Sequence, residues 1–216
     1  MKTLVFCTAW SDSAEHMRSR VGRWAEHHSR LPWPCSVELA VIGDGIAPEI
    51  PWPDGNYRAV NLEPHLGRPS HLDYPGWWRS FGYAATIARE AGCHRIWHVE
   101  SDFFLASWRM IVRMNEIEQG WIAFWCPRHG FPETAIQVIA EEHFDQLAEL
   151  GRQCREFAGR HAEHVIPFST IICDMKGDRY GEGGTPPNEI PGLDFFGQCP
   201  GNVSMIYEGE TTVRPT

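Results

Sequence analysis

Apolar positions fall into short runs and helical stripes that alternate along the chain. Lys2–Cys7 is a strand-like run that reaches Thr8-Ala9-Trp10-Ser11. Asp12 and Glu15 then give a D-x-x-E start signal, with Met17, Val21 and Trp24 at helical spacing behind it. That predicted helix closes near Arg30, before Leu31-Pro32-Trp33-Pro34. Ser36–Ile42 is a second strand, and Gly43-Asp44-Gly45 turns sharply after it. Strand, helix and strand in this order predict a right-handed βαβ unit with parallel pairing.

Residues 46–56 are broken by Pro and Gly and predict a loop, and Tyr57–Leu62 a short third strand. A second loop follows over 63–76. Trp77–Ala91 has Trp78, Phe81, Ala85 and Ala88 on one face and Gly92 as its stop, which predicts a helix. Arg95–Val99 is the next strand. Ser107–Gln119 predicts another helix through Met110, Met114 and Ile117, and Trp121–Trp125 a strand broken at Cys126-Pro127. Thr134–Ala140 predicts a strand, then an amphipathic helix from about Glu141 to Ala158. Val165–Met175 is apolar, with Pro167 leaving its type open. Residues 176–201 are rich in Gly, Pro and acidic side chains, as a mobile lid or a long surface crossing would be.

The chain of 216 residues is long enough for one domain with a substantial core. Its 43% hydrophobic and 22% charged content is that of a soluble globular protein. A net charge of −9, with no Lys/Arg-rich block, argues against a general nucleic-acid binder. A local basic pocket is still compatible with it, because Arg greatly outnumbers Lys. The seven Cys are scattered and contain no C-x-x-C, which reads as reduced thiols in a cytoplasmic setting. No stretch reaches the length of a membrane span, and the start of the chain is too polar for a signal peptide.

The strongest chemical signal is Trp97-His98-Val99-Glu100-Ser101-Asp102, an apolar strand that delivers two carboxylates in three positions. If the strand continues, Glu100 and Asp102 point to one side, and burying both is costly without a compensating cation or polar group. A solvated strand-to-turn junction is the alternative. Asp44 ends the second strand in the same way, although Gly-Asp-Gly is also ordinary turn chemistry. Thr8, Ala9 and Trp10 end the first. With parallel strands, all three sets lie on one sheet edge, where open α/β sheets gather ligands, and a base or ribose fits between Thr8–Trp10 and Asp44. No H-E-x-x-H, G-x-S-x-G or Walker motif is present.

This layout resembles the GT-A fold of nucleotide-diphosphosugar glycosyltransferases. The passage Trp78-Arg79-Ser80-Phe81-Gly82-Tyr83-Ala84-Ala85-Thr86-Ile87-Ala88-Arg89, followed by Trp97-His98-Val99-Glu100-Ser101-Asp102, carries most of the likeness. It covers the first half of the chain well and the second half poorly. Glu100 replaces the first Asp of the usual D-x-D-type motif, which keeps the charge and lengthens the reach. The resemblance implies an α/β fold, a single-domain Rossmann-like sheet over 1–216, mostly parallel, with helices on both faces. It also implies a nucleotide-binding half at about 1–105 and an acceptor half at about 106–216.

Further, it implies an enzyme that moves a sugar from a nucleoside-diphosphate donor to a hydroxyl acceptor. Thr8, Ala9, Trp10, Asp44, Arg79 and Glu100 would bind the nucleotide. Asp102 would hold Mn²⁺ or Mg²⁺, which would stabilise the leaving diphosphate. Arg68 is an alternative phosphate ligand, and the further metal ligand that such enzymes take from a late His would be absent, or be water, His161, His164 or an Asp. On the acceptor side, Asp178 and Glu182 are the candidate catalytic carboxylates, with Glu133 and Asp174 in the same region. Two other readings stand beside this one: a nucleotidyltransferase on a related sheet, and a sugar- or nucleotide-binding module without turnover.

Overall fold

The computed structural model of the protein describes residues 1–185 and 190–198. Its centre is a seven-stranded sheet in the order β3-β2-β1-β4-β7-β6-β8. The strands are β1 (Lys2–Ala9), β2 (Ser36–Asp44), β3 (Arg58–Leu62), β4 (Arg95–Val99), β6 (Trp121–Cys126), β7 (Phe131–Ala140) and β8 (Thr170–Ile172). Only β7 runs against its neighbours, pairing antiparallel with both β4 and β6. The sheet is therefore mostly parallel, as the βαβ pattern predicts.

Parallel strands buried on both faces read as continuous apolar runs rather than alternating ones. The alternation still exists in space. Val5, Cys7, Val41, Trp97 and Val99 pack on one face with Met17, Val21 and Trp24 of the first helical segments and Met110 and Met114 of α4 (Trp108–Asn115). Leu4, Phe6, Ala40, Ile42 and Ile96 pack on the other, under α3 (Pro75–Glu90) and α5 (Phe144–Arg152). Helices thus cover both faces.

Several predicted boundaries move. The first helix begins at Ser13, whose side chain accepts from His16 N–H, while Asp12 instead bonds the His16 ring. It consists of α1 (Ala14–Met17), a π-turn over Arg18–Gly22 and α2 (Arg23–Ser29). The helix predicted over Ser107–Gln119 stops at Asn115. Buried Arg95 donates to the carbonyls of Asn115 and Ile117 at 2.7 and 2.9 Å, taking up the end of the helix before Gln119. The helix predicted to reach Ala158 ends at Arg152, and the turn beyond it lets Phe157 pack on Trp78 and Gly159 N–H reach the Leu72 carbonyl.

The stretch predicted as a loop over 176–201 contains two short strands, β9 (Gly177–Asp178) and β10 (Phe195–Phe196). With β5 (Phe104–Leu105) they form a second sheet in the order β5-β10-β9. Buried Asp194 fastens it, accepting from Ser107 Oγ at 2.5 Å, from Lys176 N–H at 2.6 Å and from Arg109. Residues 186–189 and 199–201 of that stretch, and Cys199, lie outside the described residues. The six other cysteines are free thiols. No helix among the described residues is long and apolar enough to cross a membrane.

Candidate functional site

A cavity of about 910 Å³ opens where β1, β2 and β4 end. Thr8, Ala9 and Trp10 line it from β1, Asp44 from β2, and Glu100, Ser101 and Asp102 from the turn after β4. The three sets of strand-end residues therefore share one edge. Of the other residues singled out from the sequence, Arg68, His161 and Glu182 also line this cavity, whereas Arg79 and Asp178 do not.

The strand itself stops at Val99, so Glu100 and Asp102 are not related by strand alternation. Their environments differ accordingly. Glu100 Oε1 accepts from Thr8 Oγ1 at 2.9 Å, lies 3.0 Å from His98 Nε2, and also accepts from the Trp77 indole N–H. Glu100 Oε2 accepts from Thr8 Oγ1 at 3.0 Å and from Ser101 N–H at 3.3 Å. Burial would push this carboxyl up, but the His98 ring and the Trp77 and Thr8 donors hold it below the ordinary carboxylate range. Asp102 has one main partner, Arg20, whose Nη2 lies 2.8 Å from Oδ2. Burial holds Asp102 above its ordinary range, Arg20 pulling against it and the charge of Glu100 adding to it.

Asp44 is equally occupied. Its carboxylate accepts from Gly67 N–H at 2.7 Å, from Leu66 N–H and from Arg79 Nη2. The same Arg79 nitrogen reaches the carbonyls of Leu62 and Pro64, so the guanidinium braces the loop after β3. Gly76 lies against this carboxylate so closely that a Cβ there would meet Asp44 Oδ2 at 2.0 Å.

At the far side of the cavity, Glu182 Oε2 lies 2.9 Å from His129 Nε2 and 3.1 Å from Arg128 Nε. The His129 ring stacks on Phe131 at 5.3 Å. Asp178 sits behind this group. It accepts from Arg128 N–H at 3.0 Å, from Arg179 N–H at 2.8 Å and from the Cys126 thiol. Arg179 bonds buried Glu133 through Nε and Nη2, each at 2.7 Å. Burial disfavours the charge on Arg179, but Glu133 more than restores it and raises its pKa. Asp174 is not among the residues lining the cavity.

Sequence reasoning missed His16, Arg20, His65 and His129 as lining residues. Arg20 and His16 carry no local signal beyond membership of the helix after β1.

The Mn²⁺ or Mg²⁺ expectation meets this donor set directly. Divalent cations of this kind take several oxygen ligands with free lone pairs. Glu100 has both oxygens committed to donors, and Asp102 already faces a guanidinium. No group of three or more His, Cys, Asp or Glu suited to a metal ion occurs among the described residues. As arranged, these side chains do not by themselves form a metal centre.

The sequence matches no family model and no curated protein. Solved structures are similar. A glycosyltransferase involved in glycosylation of the major capsid of PBCV-1 aligns over 93% of this chain and 95% of its own, with a TM-score of 0.52 and 9% identity. An active-site mutant of LgtC aligns over 93% and 88%, with a TM-score of 0.55 and 10% identity. The galactosyltransferase LgtC in complex with donor and acceptor sugar analogs aligns over 93% and 87%, at 0.52 and 9%. The chain has a GT-A-like glycosyltransferase fold.

Proposed function

We propose that this chain is a glycosyltransferase that moves a sugar from a nucleoside diphosphate to a hydroxyl acceptor. The observation that carries the proposal is the convergence of the β1, β2 and β4 ends on one cavity, with Trp10 at its mouth. Trp10 is 48% exposed, unusual for a Trp, and its indole stacks on His65 at 5.6 Å and 28°. An exposed flat ring beside a polar cavity is a platform for a base or a sugar face. The fold shared with sugar transferases supports the same reading.

In such a transfer, the bond from the anomeric carbon to the donor's phosphate oxygen breaks. The nucleoside diphosphate leaves with the bonding electrons, and the acceptor oxygen bonds to that carbon. The acceptor proton needs a base. Of the acceptor-side candidates Glu133, Asp174, Asp178 and Glu182, Glu182 is the one that lines the cavity, paired with His129, and we assign it to the acceptor side. Asp178, whose oxygens serve the backbone of Arg128 and Arg179, supports that loop.

The test is incubation with UDP-, GDP- and ADP-linked sugars, with and without mono- and disaccharide acceptors. Acceptor-dependent release of the nucleoside diphosphate, with a product heavier by one sugar residue, is the expected result. Binding of nucleoside diphosphates without turnover would identify a binding module instead. Pyrophosphate release from a nucleoside triphosphate and a sugar phosphate would identify a nucleotidyltransferase. Absence of any nucleotide binding would overturn the proposal.

A further inference from the structure

Arg20 brings a positive charge to the cavity at the ends of β1 and β4. Glu100 is surrounded by Thr8, His98, Trp77 and Ser101, which leaves no oxygen free for a cation. Asp102 faces the cavity beside it, and Arg20 stands 2.8 Å from Asp102. That bond uses one of the five N–H donors of the guanidinium. Arg20 lines the cavity and its side chain is about one-third exposed. It sits on the π-turn over Arg18–Gly22, a local widening of the helix often found where a side chain is aimed at a functional site.

The cavity's other arginines are committed elsewhere. Arg179 is held bidentately by Glu133. Arg68 donates to the carbonyls of Ser70 and His71 and lies over the Tyr74 ring.

We propose that Arg20, held in place by Asp102, binds the diphosphate of the donor in the role expected of a divalent cation, so that nucleotide binding needs no metal. This rests on the glycosyltransferase reading above. A guanidinium fork matches two phosphate oxygens with charge-assisted bonds and is fixed in geometry by its second partner. It offsets the charge that grows on the leaving diphosphate without entering a coordination sphere. Asp102 is then a positioning residue, acting through Arg20.

The experiment is calorimetric titration with UDP, GDP and ADP, each in EDTA and in Mn²⁺, on the full chain and on Arg20→Met, Arg20→Lys and Asp102→Asn. Circular dichroism checks that each variant is folded. The expected result is binding in EDTA within about twofold of that in Mn²⁺, because no metal bridges the diphosphate. Arg20→Met should weaken it about 10- to 100-fold, the scale of a charged hydrogen bond, and Arg20→Lys should recover part of the loss. Asp102→Asn retains an acceptor for Arg20 and should cost less than Arg20→Met. A metal ligand would give the opposite order, with Asp102→Asn abolishing binding and Arg20→Met sparing it.

Binding that appears only with Mn²⁺, or an unchanged affinity in folded Arg20→Met, would overturn the proposal and leave the glycosyltransferase reading standing. No binding of any nucleoside diphosphate in either buffer would overturn that reading, and this proposal with it.

Discussion

Thr8 Oγ1 donates to Glu100 Oε1 across 2.9 Å and ties the end of β1 to the first residue beyond β4. Together with His98 and Trp77, it turns a carboxylate that is costly in isolation into a fixed strut between adjacent strands. Glu100→Gln keeps the shape but sets an NH₂ group against these donors. The expected loss is about 2 kcal/mol of unfolding free energy, read from urea denaturation. The sign of the pH dependence follows from the lowered pKa of Glu100. Its contribution is complete above the unfolded value of about 4.3 and disappears as pH falls through the lower folded value. Glu100→Gln should therefore flatten the acid limb of the stability curve. An unchanged limb would show that Glu100 is not the group responsible.

Arg79 illustrates a different balance. Asp44 is 5% exposed and accepts from two backbone N–H groups as well as from Arg79. Removing the guanidinium leaves a buried carboxylate short of a cation, a change that costs about 3 kcal/mol. Arg79→Met is expected to lower stability by that amount. Because Arg79 does not line the cavity, nucleotide affinity measured in the folded variant should fall less than in Arg20→Met. A larger loss of affinity than of stability would make Arg79 a phosphate ligand instead.

Gly82 and Gly151 set the distance between α3 and α5. A Cβ on Gly82 would lie 2.4 Å from Gly151 Cα and 2.8 Å from the Leu147 carbonyl oxygen. Both obstacles are backbone, so the helices themselves must separate. Overpacking of this kind costs about 1–3 kcal/mol, against roughly 1 kcal/mol gained in helix propensity. Gly82→Ala should thus be destabilising by up to about 2 kcal/mol, seen as a lower urea midpoint. A higher midpoint would mean that propensity outweighs packing at this crossing.

Much of the fold was legible because both faces of the sheet are buried. Runs such as Lys2–Cys7 and Arg95–Val99 read as strands of a covered parallel sheet, and the stripe from Trp78 to Ala88 as its covering helix. The edge shared by Thr8, Asp44 and Asp102 followed from that topology. The partners of these residues were not legible. Arg20 and Asp102 are 82 positions apart, and Arg179 and Glu133 are 46 apart. No local pattern connects either pair. Short strands such as Phe195–Phe196 were missed because two residues carry no periodicity, and their pairing with Phe104–Leu105 is fixed by tertiary hydrogen bonds through Asp194.

The two acidic residues on the Asp178–Gly183 loop separate most clearly by their effects on turnover. Asp178 is 9% exposed and its oxygens serve Arg128 N–H and Arg179 N–H. Asp178→Asn retains one acceptor oxygen, so it should cost about 1–2 kcal/mol of stability, as for other partly satisfied buried groups, and leave nucleotide affinity near that of the parent. Glu182 faces the cavity and pairs with His129, and its carboxylate is needed in the charged form to take up a proton. Glu182→Gln should therefore lower kcat for transfer by roughly 100-fold, the scale of general-base catalysis, at nearly unchanged stability. Initial rates at saturating donor, set beside urea midpoints for both variants, decide the assignment. If Asp178→Asn is the one that abolishes turnover while remaining as stable as the parent, the roles of the two carboxylates are reversed.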